Sequence, residues 1–425
     1  MKRIAIVDGI RTPFCKMNTS FNYLSAVDLG RIACRELIER TTLDVKQIDE
    51  VILGCVGQPA DAANIARVVA LLSGVPKTVP AFTVHRNCAS GMESVIDAAI
   101  KIQVGEAECI LAGGTESMSN IPFFYSKENQ ELFMEMGRAK TPLMKIQTLL
   151  KFRPSKLLNP RIGLSLGLTD PACGLNMGQT AEVLAKEFGI TRAEQDQYAL
   201  QSHLKALASR AILREEIVPV IPAPKFKEAV IDDNGPREGQ TIEALAKLKP
   251  FFDRVSGTVT AGNSSQVTDG ACAVLVMSEE KARALGYEPL GYIRSFAFAG
   301  VEPNRMGIGP AHAIPKALRK AGLKLSDMQA VEINEAFAVQ VQACLRAMAS
   351  TSFAKDFGYE GLLGDIDPKK LNVNGGAVAL GHPVGTTGAR LIVTLLKHLK
   401  RNNLNIGIAS LCIGGGQGAA IILER

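Results

Sequence analysis

Thr83-Val84-His85-Arg86-Asn87-Cys88-Ala89-Ser90-Gly91 leads an apolar run (Val79 to Val84) into a glycine-containing turn and then into a helical pattern. Met92, Val95, Ile96 and Ala99 fall on one face of that helix at its 3.6-residue period. Cys88 therefore sits near a helix N-terminus, where the backbone dipole favours a thiolate. A distorted copy of this plan recurs in Leu371-Asn372-Val373-Asn374-Gly375-Gly376, which also enters a glycine-rich turn and a helix. The strand after the first helix ends in Gly113-Gly114-Thr115 and the strand after the second in Cys412-Ile413-Gly414-Gly415, so the chain reads as an internal duplication.

Around these two copies, strands alternate with helices. Val51–Gly54, Cys109–Gly114, Ala330–Ile333 and Ile406–Leu411 read as buried strands, with helices around 61–73, 90–104, 310–322, 336–349 and 386–401. That alternation predicts a layered α/β architecture. Residues 119–267 interrupt it with prolines and no steady alternation, as an excursion from the first half would. Hydrophobic content of 47% and 39 glycines in 425 residues fit a well-buried protein rich in strand-to-helix turns. No apolar run reaches the ~18 residues of a membrane span. The opening run breaks too early for the ~7–15-residue core of a signal peptide, so the expected location is the cytoplasm, or the mitochondrial matrix after removal of a transit segment.

The net charge of +6 is local. Seven basic residues (Arg138, Lys140, Lys145, Lys151, Arg153, Lys156, Arg161) and no acidic ones lie between Met136 and Thr169, leaving 6 − 7 = −1 for the remainder. Such a segment suits an anionic partner. Within it Leu143, Ile146, Leu149 and Leu150 fall at helical spacing, with Lys145 and Lys151 off the stripe. The helix they define either packs on its own protein with solvated lysines, or docks on an anionic membrane surface or a partner subunit.

Nine scattered cysteines show no C-x-x-C pair and no zinc-type spacing, which argues for reduced thiols and no metal site. Cys34, Cys55, Cys109, Cys272 and Cys344 read as small buried hydrophobes. Cys88 and Cys412 differ because glycine-permitted turns surround both. Gly381-His382-Pro383 presents an imidazole in the same way. Two cysteines and a histidine so presented can form, deprotonate and reprotonate a thiolate, the chemistry of covalent acyl transfer. A non-catalytic carrier or scaffold would leave this set unexplained.

These stretches together resemble the thiolase family. Val7-Asp8-Gly9-Ile10-Arg11-Thr12-Pro13 is similar to its opening strand and turn, and Asn87–Gly91 to its nucleophile motif. Gly257–Ser265 is similar to its coenzyme A loop. Asn334-Glu335-Ala336-Phe337, Asn374-Gly375-Gly376 through Gly381-His382-Pro383, and Cys412 through Gly418 resemble its C-terminal signatures. The likeness spans the chain, and the motifs occur in family order.

The resemblance implies a thiolase-like fold: two duplicated α/β halves, each with a mixed five-stranded sheet, in an αβαβα layering, with a loop domain inserted into the first half. By analogy the N-terminal half is 1–118 plus 268–289, the loop domain 119–267 and the C-terminal half 290–425. It implies an acyltransferase that cleaves a 3-ketoacyl-CoA with CoA into acetyl-CoA and a shortened acyl-CoA; biosynthetic acetoacetyl-CoA condensation is the alternative. Cys88 would be the nucleophile, His382 its base and Cys412 the acid/base for the enolate. Asn334 would hold a water that shares an oxyanion hole with His382. The backbone N–H groups of Cys88 and Gly414 would form the second hole.

Ser265 and the Ala261 backbone would hold the pantetheine arm and Arg237 the nucleotide end. Met177 would line the tunnel, and Met306 and Phe337 the acyl pocket. CoA is a substrate, so no cofactor is implied, nor a nucleic acid. Asn176 stands where many short-chain members carry histidine, which argues against acetoacetyl-CoA specialisation. The basic stretch and Met348–Phe353 are closer to β subunits of fatty-acid-oxidation complexes, although those often carry histidine at the position of Asn334. A homodimer or homotetramer, with a hydratase–dehydrogenase subunit or a membrane surface meeting 138–161, is the implied assembly. A ketoacyl synthase of the same fold typically lacks the second cysteine, so Cys412 argues against it.

Overall fold

The N-terminal apolar run becomes β1 (Ile4–Arg11), which lies in the interior of one mixed sheet rather than at its edge. The computed structural model of the chain describes residues 2–356, 358 and 363–425. The other strands of this sheet are β2 (Cys15–Lys16), β3 (Glu50–Gly54), β4 (Ala81–Val84), β5 (Cys109–Ser117), β6 (Thr268–Ser278), β7 (Gly291–Gly300), β8 (Ala330–Ile333), β9 (Ile406–Ile413) and β10 (Gln417–Glu424). Their order is β8-β9-β10-β7-β1-β6-β5-β3-β4, with β2 on β6. β3 runs parallel to both β4 and β5, and β8 parallel to β9; the other pairs are antiparallel. A short antiparallel ladder between β1 and β7 (Ile4↔Ile293, Ala5↔Tyr292, Ile6↔Gly291) joins the two halves.

Side-chain alternation along the strands builds the layers. On β3, Val51 and Leu53 face one apolar cluster with Leu29 and Leu37 of α1 (Ala26–Arg40) and Ile65 and Val69 of α2 (Ile65–Leu72). Ile52 between them faces a central cluster made by α3 (Ser90–Val104) and the late helix Thr387–Arg401. Ile408 and Ile422 of the second half face a third cluster with Ile314 and Val339. The expected αβαβα layering and helix positions are therefore observed. β5 and β6 are buried along their whole length, as strands covered on both faces should be.

The two central helices cross at glycines. A Cβ on Gly91 would lie 2.9 Å from the Gly385 carbonyl oxygen, and one on Gly388 would lie 2.5 Å from the Met92 nitrogen. No side chain fits at either crossing point, so the Cys88 turn and the loop after His382 are brought together by the absence of two β-carbons.

One difference from the expected pair of five-stranded halves is instructive. The second-half counterpart of β4 is reduced to a single bridge, Val331↔Leu371. Asn372, at φ +44°, replaces the next ladder pair with its own amide, accepting from Ile333 N at 2.9 Å and donating to Ile333 O at 2.9 Å. Asparagine tolerates this left-handed backbone better than other non-glycine residues.

The chain forms two compact units, a large one of Met1–Asn120 with Asp170–Arg425 and a small one of Ile121–Thr169. The small unit holds a hairpin of Phe123–Phe124 with Arg161–Ile162, and helices Lys127–Arg138, Pro142–Leu149, Pro154–Leu157 and Gly163–Gly167. Helix Pro142–Leu149 is where the spacing put it, but its apolar stripe faces outward: Leu143, Ile146, Leu149 and Leu150 are all more than half exposed. Thr148 turns inward instead, donating to Glu135 at 3.2 Å.

Candidate active site

The Cys88 turn is fixed by its neighbours. Asn87 takes φ +44°, the Ser90 hydroxyl donates to Asn87 O at 2.7 Å, and it accepts from Arg86 N at 2.9 Å. Cys88 is half-buried, and the backbone N–H groups of Gly414 and of Cys88 itself face its sulfur and favour the thiolate. Burial nevertheless pushes the thiol above its ordinary value, more than those two donors lower it. The helix-dipole argument alone therefore misjudges Cys88: the helix begins two residues later, and desolvation outweighs it. A base is needed to reach the thiolate.

The candidate for that base, His382, is in neutral form. His382 is buried, and burial followed by the charge of Arg390 lowers its pKa to about 3. Its tautomer follows from the bonds around it. Thr387 Oγ1 lies 3.0 Å from Pro383 O and 2.6 Å from His382 Nδ1, and when it donates to the carbonyl it accepts from Nδ1–H. The Nε2 lone pair then faces the Asn334 side-chain amide nitrogen at 3.5 Å, a long contact that leaves it able to take a proton. Asn334 is fully buried, and its Oδ1 has no hydrogen-bond partner among the described residues.

Cys412 is the last residue but one of β9 and is buried. Its thiol is raised well above the ordinary value, first by burial, then by its proximity to Cys88 and to Cys344. The two sulfurs singled out in the sequence thus share one site, with Gly414 close to Cys412 in sequence and against Cys88 in space. Glu116 ties the floor together, accepting from Val56 N, Gly57 N and Gly385 N at 3.1, 2.8 and 2.8 Å. Burial raises its carboxyl to about 6 despite these donors.

The remaining expected residues spread outward from this centre. Ser265 is half-buried and its N–H donates to Ala336 O at 2.9 Å, while Ala261 is exposed on the same loop. The loop is rigid because Glu182 accepts from Thr258 N and Val259 N, and Asn263 Oδ1 accepts from Thr260 N. Arg237 is exposed; its backbone N–H donates to His203 Nδ1 at 3.2 Å. Met177 is half-buried, with its sulfur 3.3 Å from where a Gly414 Cβ would stand. Met306 and Phe337 are buried, Phe337 edge-on to Phe252. Asn176 has a structural duty, capping helix Met177–Glu187 by accepting from Gln179 N at 3.0 Å.

Sequence reasoning missed Thr387, Glu116 and the side chain of Asn87. Only Thr387 left a signal, lying on the first helical turn after the Gly-His-Pro motif. A separate cavity of about 620 Å³, lined by Arg40, Tyr287, Lys397 and Arg401 among others, includes none of these site residues. No group of metal-ligating side chains occurs among the described residues.

A cysteine, a neutral buried histidine and a second thiol on a duplicated α/β frame define an acyl-transferring class, and this chain belongs to the thiolase family: the thiolase N-terminal domain matches residues 4–280 and the thiolase C-terminal domain residues 287–425. Over 427 residues it is 42% identical to a 3-ketoacyl-CoA thiolase of Pseudoalteromonas translucida, covering 99% of this chain and 97% of that one. A 3-ketoacyl-CoA thiolase of Shewanella loihica is 41% identical, over 99% and 97% of the two chains. Among solved structures, human mitochondrial 3-ketoacyl-CoA thiolase in complex with CoA superposes with TM-score 0.85 at 36% identity, covering 100% of this chain and 98% of that one. Bacillus anthracis acetyl-CoA acetyltransferase gives TM-score 0.87 at 38% identity, over 100% and 99%.

Proposed function

We propose that this chain cleaves 3-ketoacyl-CoA with CoA, releasing acetyl-CoA and an acyl-CoA shortened by two carbons, as a step of fatty-acid β-oxidation. The observation that carries this reading is the meeting of the Cys88 turn with the Gly414 turn, joined by Asn87 Nδ2 and Gly414 O at 2.7 Å, with the Cys412 thiol close to Cys88. His382 Nε2 takes the Cys88 proton, and the thiolate attacks the keto carbon. Cleavage of the carbon–carbon bond leaves an acyl thioester on Cys88 and expels an enolate, which Cys412 protonates. The thiolate of Cys412 then deprotonates incoming CoA, whose sulfur attacks the acyl carbonyl and displaces the Cys88 thiolate, and Cys88 recovers its proton from His382. Once protonated, Nε2–H becomes a donor for an oxyanion, beside a water held by Asn334, whose unpartnered Oδ1 suits that duty. The N–H groups of Cys88 and Gly414 serve the acyl-enzyme carbonyl.

The loop domain 119–267, with Arg237, Ala261 and Ser265, holds CoA; Met177 borders its path, and Met306 and Phe337 border the acyl chain. The whole-chain identity to 3-ketoacyl-CoA thiolases supports thiolysis over acetoacetyl-CoA condensation. Thiolysis rates against 3-ketoacyl-CoAs of four to sixteen carbons test this. Activity is expected to rise beyond the four-carbon substrate; confinement to acetoacetyl-CoA would move the assignment to the condensing alternative.

The enzyme works in the cytoplasm as a homodimer or homotetramer. Residues 138–161 form a docking surface for an anionic membrane or a hydratase–dehydrogenase subunit, which the outward stripe Leu143, Ile146, Leu149 and Leu150 within a cation-rich segment supports. At about 1 kcal/mol per basic residue, losing the two lysines alone weakens binding to anionic vesicles about thirtyfold at low salt, so reversing Lys145 and Lys151 to glutamate weakens it by more than that. Sedimentation with the vesicles reads this, and binding indifferent to the change would remove lipid as the occupant.

A further inference from the structure

Two donors that serve one oxyanion must be held at a fixed separation, with each about 2.7–3.1 Å from the oxygen. Here they come from opposite ends of the chain. The N–H of Cys88 belongs to the turn before α3, and the N–H of Gly414 to the turn between β9 and β10. The second turn is compliant: Gly414 is followed by Gly415 at φ +88° and Gly416 at φ +80°. Glycine runs hold no conformation by themselves. This turn is held at two points, Gly416 O accepting from Val301 N at 2.7 Å and Gly414 O accepting from Asn87 Nδ2 at 2.7 Å.

Only the second of these bonds reaches the nucleophile turn itself. Asn87 immediately precedes Cys88, and its own carbonyl is fixed by the Ser90 N–H at 3.0 Å and the Ser90 hydroxyl at 2.7 Å. Its side chain is thus anchored at the nucleophile and bonded to the residue that supplies the other donor. Its left-handed backbone, φ +44°, is one that asparagine tolerates.

We propose that Asn87 is a positioning residue for the acyl-transfer reaction: its amide clamps the Gly414 turn onto the Cys88 turn and so sets the spacing of the oxyanion donors. The clamp touches neither substrate nor sulfur in this role, and it acts on both half-reactions, since the same pair of N–H groups receives the thioester oxygen as Cys88 is acylated and deacylated. The inference rests on reading Cys88 as the nucleophile with Gly414 as its donor partner.

Asn87→Gly separates the amide from the backbone, because glycine keeps the left-handed turn. We expect kcat for thiolysis to fall about ten- to a hundredfold, with KM for the 3-ketoacyl-CoA changed less than about threefold. The pH midpoint for Cys88 alkylation by iodoacetamide should move upward, since the thiolate shares the displaced donor. Asn87→Asp, nearly isosteric but presenting an acceptor to the Gly414 carbonyl, should lose at least as much, and carries the test if the glycine variant fails to fold. Unchanged kcat with an unmoved alkylation profile overturns the proposal, as does a loss confined to KM. If Cys88→Ala is inactive while Asn87→Gly is normal, only the clamp falls; an active Cys88→Ala would sink the reading of the site beneath it.

Discussion

Cys88→Ala removes thiolysis, by a factor on the order of 10⁴–10⁶, and leaves the fold and CoA binding intact. The size of the effect follows from covalency: with Cys88 gone the acyl chain loses its carrier, Cys412 being held protonated by burial, and a water in place of the sulfur would hydrolyse rather than transfer. Survival of the fold follows from packing. Cys88 is half-buried at the margin of the central cluster, and the facing Gly414 turn is held by Asn87 Nδ2 whether or not the sulfur is present. Losing one such atom costs about 1 kcal/mol. Intact-mass measurement after mixing with 3-ketoacyl-CoA should show an acyl adduct on the parent protein and none on the variant. An adduct that persists in Cys88→Ala would reassign the nucleophile.

Cys412→Ala should lose proton exchange at the acetyl carbon of acetyl-CoA by about 10²–10⁴, with acylation of Cys88 much less affected. Cys412 is held protonated by burial and by the neighbouring Cys88 and Cys344 sulfurs. A buried thiol that keeps its proton is a ready acid for an expelled enolate. When Cys88 becomes a thioester it no longer carries charge, one of the influences raising Cys412 disappears, and the same thiol is better placed to act as a base toward CoA. Exchange of label from deuterated water, followed by mass spectrometry, separates this step from acyl transfer. Exchange at the parent rate would remove Cys412 from acid/base work.

What the sequence made legible was whatever depends on periodicity and on glycine. The buried face of α3, the strands Ile406–Ile413 and Ala330–Ile333, and the turns bearing Cys88, His382 and Cys412 all announce themselves by spacing. What stayed hidden depends on which way a side chain reaches. Periodicity finds the stripe on Pro142–Leu149, but not that it points outward while Thr148 points in. Nothing in a string of letters says that Asn372 substitutes its amide for a rung of the sheet, or that Thr387 chooses the histidine tautomer. The state of Cys88 required a balance, since a helix terminus and two N–H donors argue one way and burial argues more strongly the other.

The central place of β1 has a further consequence for biogenesis. Strand Ile4–Arg11 finds its partners at Thr268–Ser278 and Gly291–Gly300, so its edges stay open until those distant segments have been synthesised. Throughout that interval a strand of Ile4, Ala5, Ile6 and Val7 waits unpaired, in a form suited to aggregation. Cellular yield of this enzyme therefore hinges on how quickly translation passes residue 300 and on what shelters β1 meanwhile.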